Sequence, residues 1–220
     1  MNWTQTPTGY AIEPLRVLVA CERSGVMRRA FQRVWGGGVD AWSCDLEPAD
    51  DGGTHIQADA LYVARNGDWD LVIAHPPCTF QCNSGVRWLH TEPGRWDQMR
   101  QGAEFFRAFL ELDVPFVAVE NPVMHRYSRE IVGRGPDFTC QPWQFGDDEK
   151  KRTCWWTKNL PPLTPTSLLD GSTAAASIHR APPGPDRARI RSQTFPGMAD
   201  AIANQWGAIA LMELNEEVTA

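Results

Sequence analysis

Between Asp70 and Leu89 the chain reads Asp-Leu-Val-Ile-Ala-His-Pro-Pro-Cys-Thr-Phe-Gln-Cys-Asn-Ser-Gly-Val-Arg-Trp-Leu, and no other stretch narrows the fold as much. Leu71 to Ala74 is a short apolar run bounded by turn residues, which predicts a buried strand. Pro76 and Pro77 end that strand, because neither donates a ladder hydrogen bond and both fix φ. Cys78 is the first residue past this rigid corner. A thiol at the carboxyl end of a buried strand sits where open α/β sheets hold their ligands. Asn83, Ser84 and Gly85 then form a turn-prone polar loop suited to wrapping a ligand. A strand, a proline turn and a small buried apolar cysteine fit the same residues, so the stretch alone leaves both readings open.

The flanking chain supplies the rest of an α/β pattern. Arg16 to Cys21 is an apolar strand, Glu22-Arg23-Ser24-Gly25 a turn, and Val26 to Val34 a helix with Val26, Ala30 and Val34 on one side. Rossmann-like folds open this way, presenting backbone N–H groups to a ligand. Val39 to Cys44 is a second strand with Asp45 at its end. That acid lies about twenty residues beyond the first turn, the spacing at which one accepts hydrogen bonds from ribose hydroxyls. Asp59 follows a short third strand, placed to reach an adenine amino group or to cap the next helix. Trp96 to Leu112 carries a helical apolar stripe that reads as core. Val114 to Val119 is a further buried strand, closed by Glu120-Asn121-Pro122. If parallel, it brings Glu120 to the sheet edge that holds Cys78. A carboxyl buried there without a partner is costly, which argues for a task.

Later segments are less regular. Val132 to Phe145 reads as irregular or short β structure, and Cys154 to Thr157 as a strand after the charged turn Asp147–Thr153. Pro161 to Gln193 is rich in Pro, Ser, Thr, Ala and Arg, which predicts a long, mobile loop. Pro196 opens a last helix with Met198, Ile202, Trp206, Ile209 and Met212 on one stripe. The expected organisation is a loose leader over 1–14 and a single domain over 15–220. Within it, 157–193 is a loop or minimal recognition insert, and a helix over 194–214 closes the sheet.

Charge and cysteine usage exclude some classes. A net charge of −6 does not suit a protein that coats nucleic acid indiscriminately. Arg180, Arg187, Arg189 and Arg191 nonetheless form a local basic run, either a solvated loop or a phosphate site. Six cysteines without a Cys-x-x-Cys pair argue against a zinc ribbon and against a disulfide scaffold. No apolar run approaches membrane-spanning length, so a soluble, cytoplasmic protein with no membrane partner is expected.

With strands ending in Pro76-Pro77-Cys78 and in Glu120-Asn121-Pro122, the chain resembles the cytosine-C5 DNA methyltransferases, in particular a small, phage-type member. Ser84 and Gly85 extend the likeness to the catalytic loop. Lys151-Arg152-Thr153, after Gln144-Phe145-Gly146, is similar to the family's basic motif, and Phe195-Pro196-Gly197-Met198-Ala199 to its final motif. The resemblance spans most of residues 16–212. It implies a Rossmann-like S-adenosylmethionine-dependent methyltransferase fold with a mostly parallel, doubly wound sheet. It also implies Cys78 as nucleophile, Glu120 as the acid at N3, Arg152 as the ligand of O2 or the residue that orients Glu120, and Asn121 as organiser of the loop. Cys21, Glu22, Ser24, Gly25, Asp45, Asp59 and Pro76 would contact the cofactor. Ser84, Arg87, Arg187, Arg189 and Arg191 would contact substrate or phosphate, with DNA as partner and no metal.

The chain also departs from the family. The usual Phe-x-Gly-x-Gly cofactor turn is here Ala20-Cys21-Glu22-Arg23-Ser24-Gly25; His75 replaces a glycine and Thr79 a glutamine. The interval Thr157–Arg191 is too short for the family's large recognition domain. A free pyrimidine nucleotide such as dCMP is therefore an alternative substrate. An amino-group methyltransferase fits less well, because His75-Pro76-Pro77-Cys78 lacks the amide or carboxylate and the aromatic of that loop. A non-catalytic DNA- or metal-binding module, with His75, Cys78, Cys82 and His90 on zinc, is the alternative from another class.

Overall fold

The computed structural model describes residues 13–178, 180–182, 184, 187–192 and 194–219, with the side chains of residues 188, 189 and 215–219 outside that description. Residues 1–12 of the expected leader also lie outside it. Five strands are mutually parallel: β1 Leu15–Ala20, β2 Val39–Asp45, β3 His55–Gln57, β4 Leu71–Ala74 and β5 Phe116–Asn121. Two more, β6 Phe138–Cys140 and β7 Thr153–Lys158, complete a seven-stranded sheet of order β3-β2-β1-β4-β5-β7-β6. β7 runs antiparallel to both β5 and β6. This mixed α/β architecture agrees with a Rossmann-like reading of the sequence.

Helices cover both faces. α1 (Val26–Trp35) and α6 (Pro196–Thr219) pack on one side, where Leu15, Val17, Val19, Leu71, Ile73, Phe116 and Ala118 point. α2 (Ala60–Asn66), α3 (Arg95–Leu110) and α4 (Arg126–Val132) cover the other, which receives Leu18, Ala20, Val72, Ala74, Val117 and Val119. The strict alternation of these side chains is what the pleat requires of strands buried on both faces. α5 (Arg187–Ser192) is a short helix in the stretch read from sequence as loop. No helix among the described residues is long and apolar enough to cross a membrane.

Strand order reverses between β1 and β4, and α/β folds bind ligands in the crevice at the carboxyl ends of such a pair. Ala20 registers with Ala74, and Ala74 with Val119. Cys21, His75 and Glu120 therefore stand in one row along the sheet's carboxyl edge. The His75 N–H donates to the Ala20 carbonyl at 3.0 Å, carrying the ladder one residue past β4.

The Pro161–Gln193 stretch departs from the expected mobile loop. The Glu149 carboxylate, itself buried, accepts from the N–H groups of Ser177 (3.1 Å) and Ile178 (3.3 Å) and from the Ser177 hydroxyl. Ala174, Ile178 and Ala181 are buried beneath it. Its anchors are carboxylate-to-backbone bonds, which leave no apolar periodicity to read. At the far end, α6 begins hard against the preceding chain. A Cβ on Gly197 would lie 2.1 Å from the Phe145 carbonyl oxygen, so only glycine fits. The Asp147 carboxylate takes the first free N–H groups of α6, from Gly197 and Met198, both at 3.1 Å.

The loop between β2 and β3 is tied to α1 by a buried cation. Arg28 is 1% exposed; its guanidinium donates to Ser43 Oγ and the Thr54 carbonyl, both at 2.9 Å, and to the Asp51 carboxylate. Arg29 joins it on Asp51. Partial burial pushes the Asp51 carboxyl up, but the two guanidiniums and the Gly53 N–H (3.1 Å) hold it well below the usual carboxylate range. Asp51→Asn leaves Arg28 buried beside a neutral partner and is expected to cost about 3 kcal/mol in urea unfolding at pH 7. Because the folded pKa is depressed, the wild-type advantage is fully present above the unfolded value of about 4. It should shrink as pH falls below that value, so the two unfolding curves converge in acid.

Candidate active site

Glu120 lies within β5, which runs two residues beyond the Val119 end expected from sequence, opposite Trp155 of β7. Its side chain is 13% exposed, and Oε2 sits 3.5 Å from Nδ1 of His75 on the neighbouring strand tip. Oε1 of Glu120 and Nε2 of His75 are buried with no hydrogen-bond partner among the described residues. Both residues line a cavity of about 20 Å³, closed by Met27, Lys151, Thr153, Trp155, Thr194, Phe195 and Met198. That volume holds a water molecule rather than a pyrimidine ring. Burial raises the Glu120 pKa, but the Lys151 charge and His75 outweigh it and leave the carboxyl below its ordinary value.

The cation beside Glu120 is Lys151. Arg152, expected in that role, is exposed. The alternation of β7 explains the correction: Lys151, Thr153 and Trp155 share the face that lines the cavity, whereas Arg152 goes with Cys154 and Trp156 toward the other layer. Counting back in twos from Trp155 would have found Lys151 in the sequence. The Lys151 ammonium also lies 5.8 Å from the Phe195 ring centroid, linking the basic motif to the start of α6.

Cys78 stands past the proline corner with Pro76 buried behind it. Its thiol feels the charges of both Glu120 and Lys151, which places it at the same end of the sheet. The loop that carries it is braced from beneath. Gln81, fully buried, donates to the carbonyls of Pro77 (3.1 Å) and Gly102 (3.0 Å). The His125 N–H donates to the Gln81 carbonyl at 2.9 Å, and Cys82 bridges Met124 in antiparallel fashion. The loops after β4 and β5 are thus stitched together, and the two strand tips form one unit. Asn121 is buried with its amide donating to the Pro122 carbonyl at 2.8 Å, which turns the chain toward that bridge.

Cys82 is a second thiol at the site. It is 8% exposed, and its N–H donates to the Cys78 carbonyl at 3.2 Å. Ser84 Oγ is 3.1 Å from its sulfur. Cys78, Ser84, the Arg191 charge and the Gly85 backbone together overcome burial and push the Cys82 thiol down. Cys78 moves up, chiefly through Cys82, then through burial and the Glu120 charge.

The remaining expected contacts separate into two groups. Cys21, Asp45 and Asp59 converge at the ends of β1 to β3, where burial and then both carboxylates raise the Cys21 thiol; one oxygen of Asp59 caps α2 by accepting from the Tyr62 N–H at 2.8 Å, and one of Asp45 accepts from the Glu47 N–H at 3.0 Å. Glu22, Ser24 and Gly25 instead serve the start of α1. Glu22 Oε1 accepts from the Met27 N–H (2.8 Å) and from Ser24 Oγ (3.0 Å), while Oε2 is buried without a partner among the described residues. Gly25, at φ 68°, faces Arg28 and Asp51, which fill the space a side chain would need. Among the basic residues, Arg191 reaches the Cys82 end of the site, whereas Arg187 donates to the Ala181 carbonyl at 2.7 Å. Arg87 is exposed with its guanidinium 4.3 Å from the Trp88 ring centroid. The Arg189 side chain lies outside the described residues. No three His, Cys, Asp or Glu side chains among the described residues are arranged to hold a metal ion. His90, the fourth zinc candidate, packs edge-on against Trp96 at 5.6 Å.

No family model matches this chain, and no curated protein matches it either.

If Lys151 is the dominant cation on Glu120, Lys151→Met raises the Glu120 pKa by removing that charge, while Arg152→Met leaves it in place. Carbon-detected NMR titration of the Glu120 carboxyl in both variants measures this; equal shifts would contradict the alternation described above.

Proposed function

We propose that this protein is an S-adenosylmethionine-dependent methyltransferase that modifies C5 of cytosine in DNA through a covalent Cys78–C6 intermediate. The observation that carries this reading is the pairing of Cys78 and Glu120 on adjoining, cross-braced strand tips, with Glu120's charge acting on the thiol. C5 of cytosine is a weak nucleophile. Adding sulfur to C6 turns the ring into an enamine, which attacks an electrophilic methyl group through C5.

Each residue has a part in that sequence. Cys78 forms the bond to C6, and the ring's π electrons move toward N3 and O2. Glu120 faces the N3 edge, where negative charge develops; Lys151 and His75 keep it ionised in the free protein, so it has to take up a proton as the base enters and then donate it toward N3. Gln81, His125 and the Cys82–Met124 bridge hold the loop, so that sulfur and carboxyl approach one base together. The cavity beside Glu120, about 20 Å³, has to widen before a base reaches the carboxyl. A duplex substrate must also extrude its cytosine.

The residues at the switch point suit the cofactor's chemistry. Asp45 and Asp59 offer acceptors for ribose hydroxyls and an adenine amino group. The unpartnered Glu22 Oε2 offers one for an ammonium. S-adenosylmethionine, when bound, supplies the methyl group. Glu22 would thereby hold the amino acid end beside Cys21, on the same row as His75 and Glu120.

A free pyrimidine nucleotide is the second reading, favoured by the 157–193 stretch, much of which is committed to its own chain through Glu149. The expected result separates the two. Incubation with S-adenosylmethionine and DNA carrying 5-fluorocytosine should give a covalent adduct at Cys78, with 5-fluoro-dCMP as the parallel arm. Trapping of the nucleotide alone assigns the smaller substrate, and trapping of neither while the cofactor binds contradicts the mechanism. Glu120→Gln should slow methyl transfer by about 10²-fold or more, in the range of a lost acid–base group.

A further inference from the structure

Beside the Cys78 loop lies a face on which arginines sit over aromatic rings. The Arg87 guanidinium is 4.3 Å from the Trp88 ring centroid, and that of Arg126 is 4.5 Å from the Tyr127 centroid. Tyr127 packs edge-on against Trp96 at 4.9 Å and against His90 at 6.2 Å. Those contacts join the segment Asn83–His90, the start of α3 and the start of α4 into one surface. The surface is tied to the Cys78 loop as well. His125, two residues before Tyr127, meets the Phe80 carbonyl through Nε2 at 3.0 Å, and Phe80 is two residues past Cys78.

The charge on this face is open to a ligand. Arg87 and Arg126 are exposed, as is Arg129 one turn further along α4. None of the three is in an ion pair among the described residues, and the nearby carboxylates of Glu92, Asp97 and Asp137 are paired with Arg95, Arg100 and Arg134. Glu130 is the one acid on α4 itself. An open groove of about 290 Å³ runs from Arg126 and Arg129 to Gly133 and Arg134. In a chain of net charge −6 this is a local reversal of sign. Trp88, 37% exposed, adds an apolar plane at the other end. An exposed ring receives the face of any unstacked base and a neighbouring guanidinium receives a phosphate, which is how single strands are held without reading base edges. A purely acidic partner would need the charge but not the rings.

We propose that this face is a docking track for the DNA strand on either side of the target base. Trp88 and Tyr127 stack on flanking bases, and Arg87, Arg126 and Arg129 hold phosphates. This rests on the reading of DNA as substrate, and it gives Asn83–His90 and α4 the strand-holding role that the short 157–193 interval leaves unfilled. Arg187, engaged with the Ala181 carbonyl, takes no part. Because planes and phosphates carry no base-edge information, the track tolerates any flanking sequence.

Fluorescence anisotropy with a labelled single-stranded oligonucleotide tests the track without any chemistry. Wild type should bind. Arg126→Ala/Arg129→Ala should weaken binding about tenfold or more and flatten the slope of log affinity against log salt by about 1.4, as for two lost phosphate contacts. Trp88→Ala should lose about tenfold with the salt slope unchanged, and Trp88→Phe, which keeps a ring, should recover most of it. Arg33→Ala, on α1 across the sheet, should bind as wild type does. An oligonucleotide carrying 5-iodouracil should photocrosslink to Trp88 or Tyr127. Absence of binding by wild type, unchanged affinity in the Arg126/Arg129 and Trp88 variants, or crosslinks confined to residues 180–192 overturns the track. So does trapping of 5-fluoro-dCMP at Cys78 by a protein that binds no DNA, which leaves the C5 chemistry standing. Binding and crosslinks as expected, with neither 5-fluorocytosine DNA nor 5-fluoro-dCMP trapped, keep the track and overturn the reading of Cys78 as nucleophile.

Discussion

A carboxyl group buried between β4, β5 and β7 sets the terms for the rest of this molecule. Glu120 is surrounded by apolar strands and by Trp155, Phe195 and Met198, and an unpaired charge there would be costly. His75 from β4 and Lys151 from the lead into β7 remove that difficulty, so three separate segments must meet at one point. Their meeting fixes the antiparallel insertion of β7 beside β5 and brings the start of α6 over the cavity. A buried ion cluster is a poor source of stability compared with hydrocarbon of the same volume. Its retention here, with one carboxylate oxygen and one imidazole nitrogen left without partners among the described residues, fits a site built for a polar guest.

The neighbouring end of β1 solves a related problem differently. Glu22 turns inward to cap α1, and Arg28 is buried to tie the β2–β3 loop across Gly25. The glycine turn is consequently filled by the protein's own side chains, and what is left at this edge is the second carboxylate oxygen of each of Glu22, Asp45 and Asp59, whose first oxygens accept backbone N–H groups. The edge therefore presents carboxylates at three strand tips more than N–H groups at the head of α1. This contrasts with glycine-rich turns that receive an anion on the helix N-terminus.

Much of the fold could be read from the residues because the strands are buried on both faces. Leu71–Ala74 and the start of α6 at Pro196 emerge where the apolar pattern and the prolines place them. α4 was invisible for the opposite reason: Arg126–Val132 buries only Ser128 and Val132 and is capped by a histidine, whose Nδ1 accepts from the Ser128 N–H at 3.2 Å. Around Ala175, Ser177 and Ile178 the chain rests on backbone-to-carboxylate bonds to Asp148 and Glu149 without hydrophobic periodicity, and α5 is too short to show one. At the site, Cys78 and Glu120 were legible from strand ends alone. Lys151 was displaced by the more familiar Arg152, although strand alternation favours it. Cys82 was legible only as a metal-ligand candidate, since its place beside Cys78, with its N–H on the Cys78 carbonyl, depends on how the loop bends after Pro77. Asn83, Ser84 and Gly85, read as a turn-prone polar loop, open a 3-10 helix over Asn83–His90 that places Ser84 against the Cys82 sulfur.

The account turns on whether the Cys78 sulfur adds to C6 of a pyrimidine held by Glu120. Transient addition at C6 makes the C5 hydrogen exchangeable, so release of tritium from [5-³H]cytosine reports it without requiring methyl transfer. With DNA and with dCMP as separate substrates, wild-type protein should release tritium from one of them, and Cys78→Ser should release none. Release that persists undiminished in Cys78→Ser, or its absence from wild type with both substrates, would contradict the central claim.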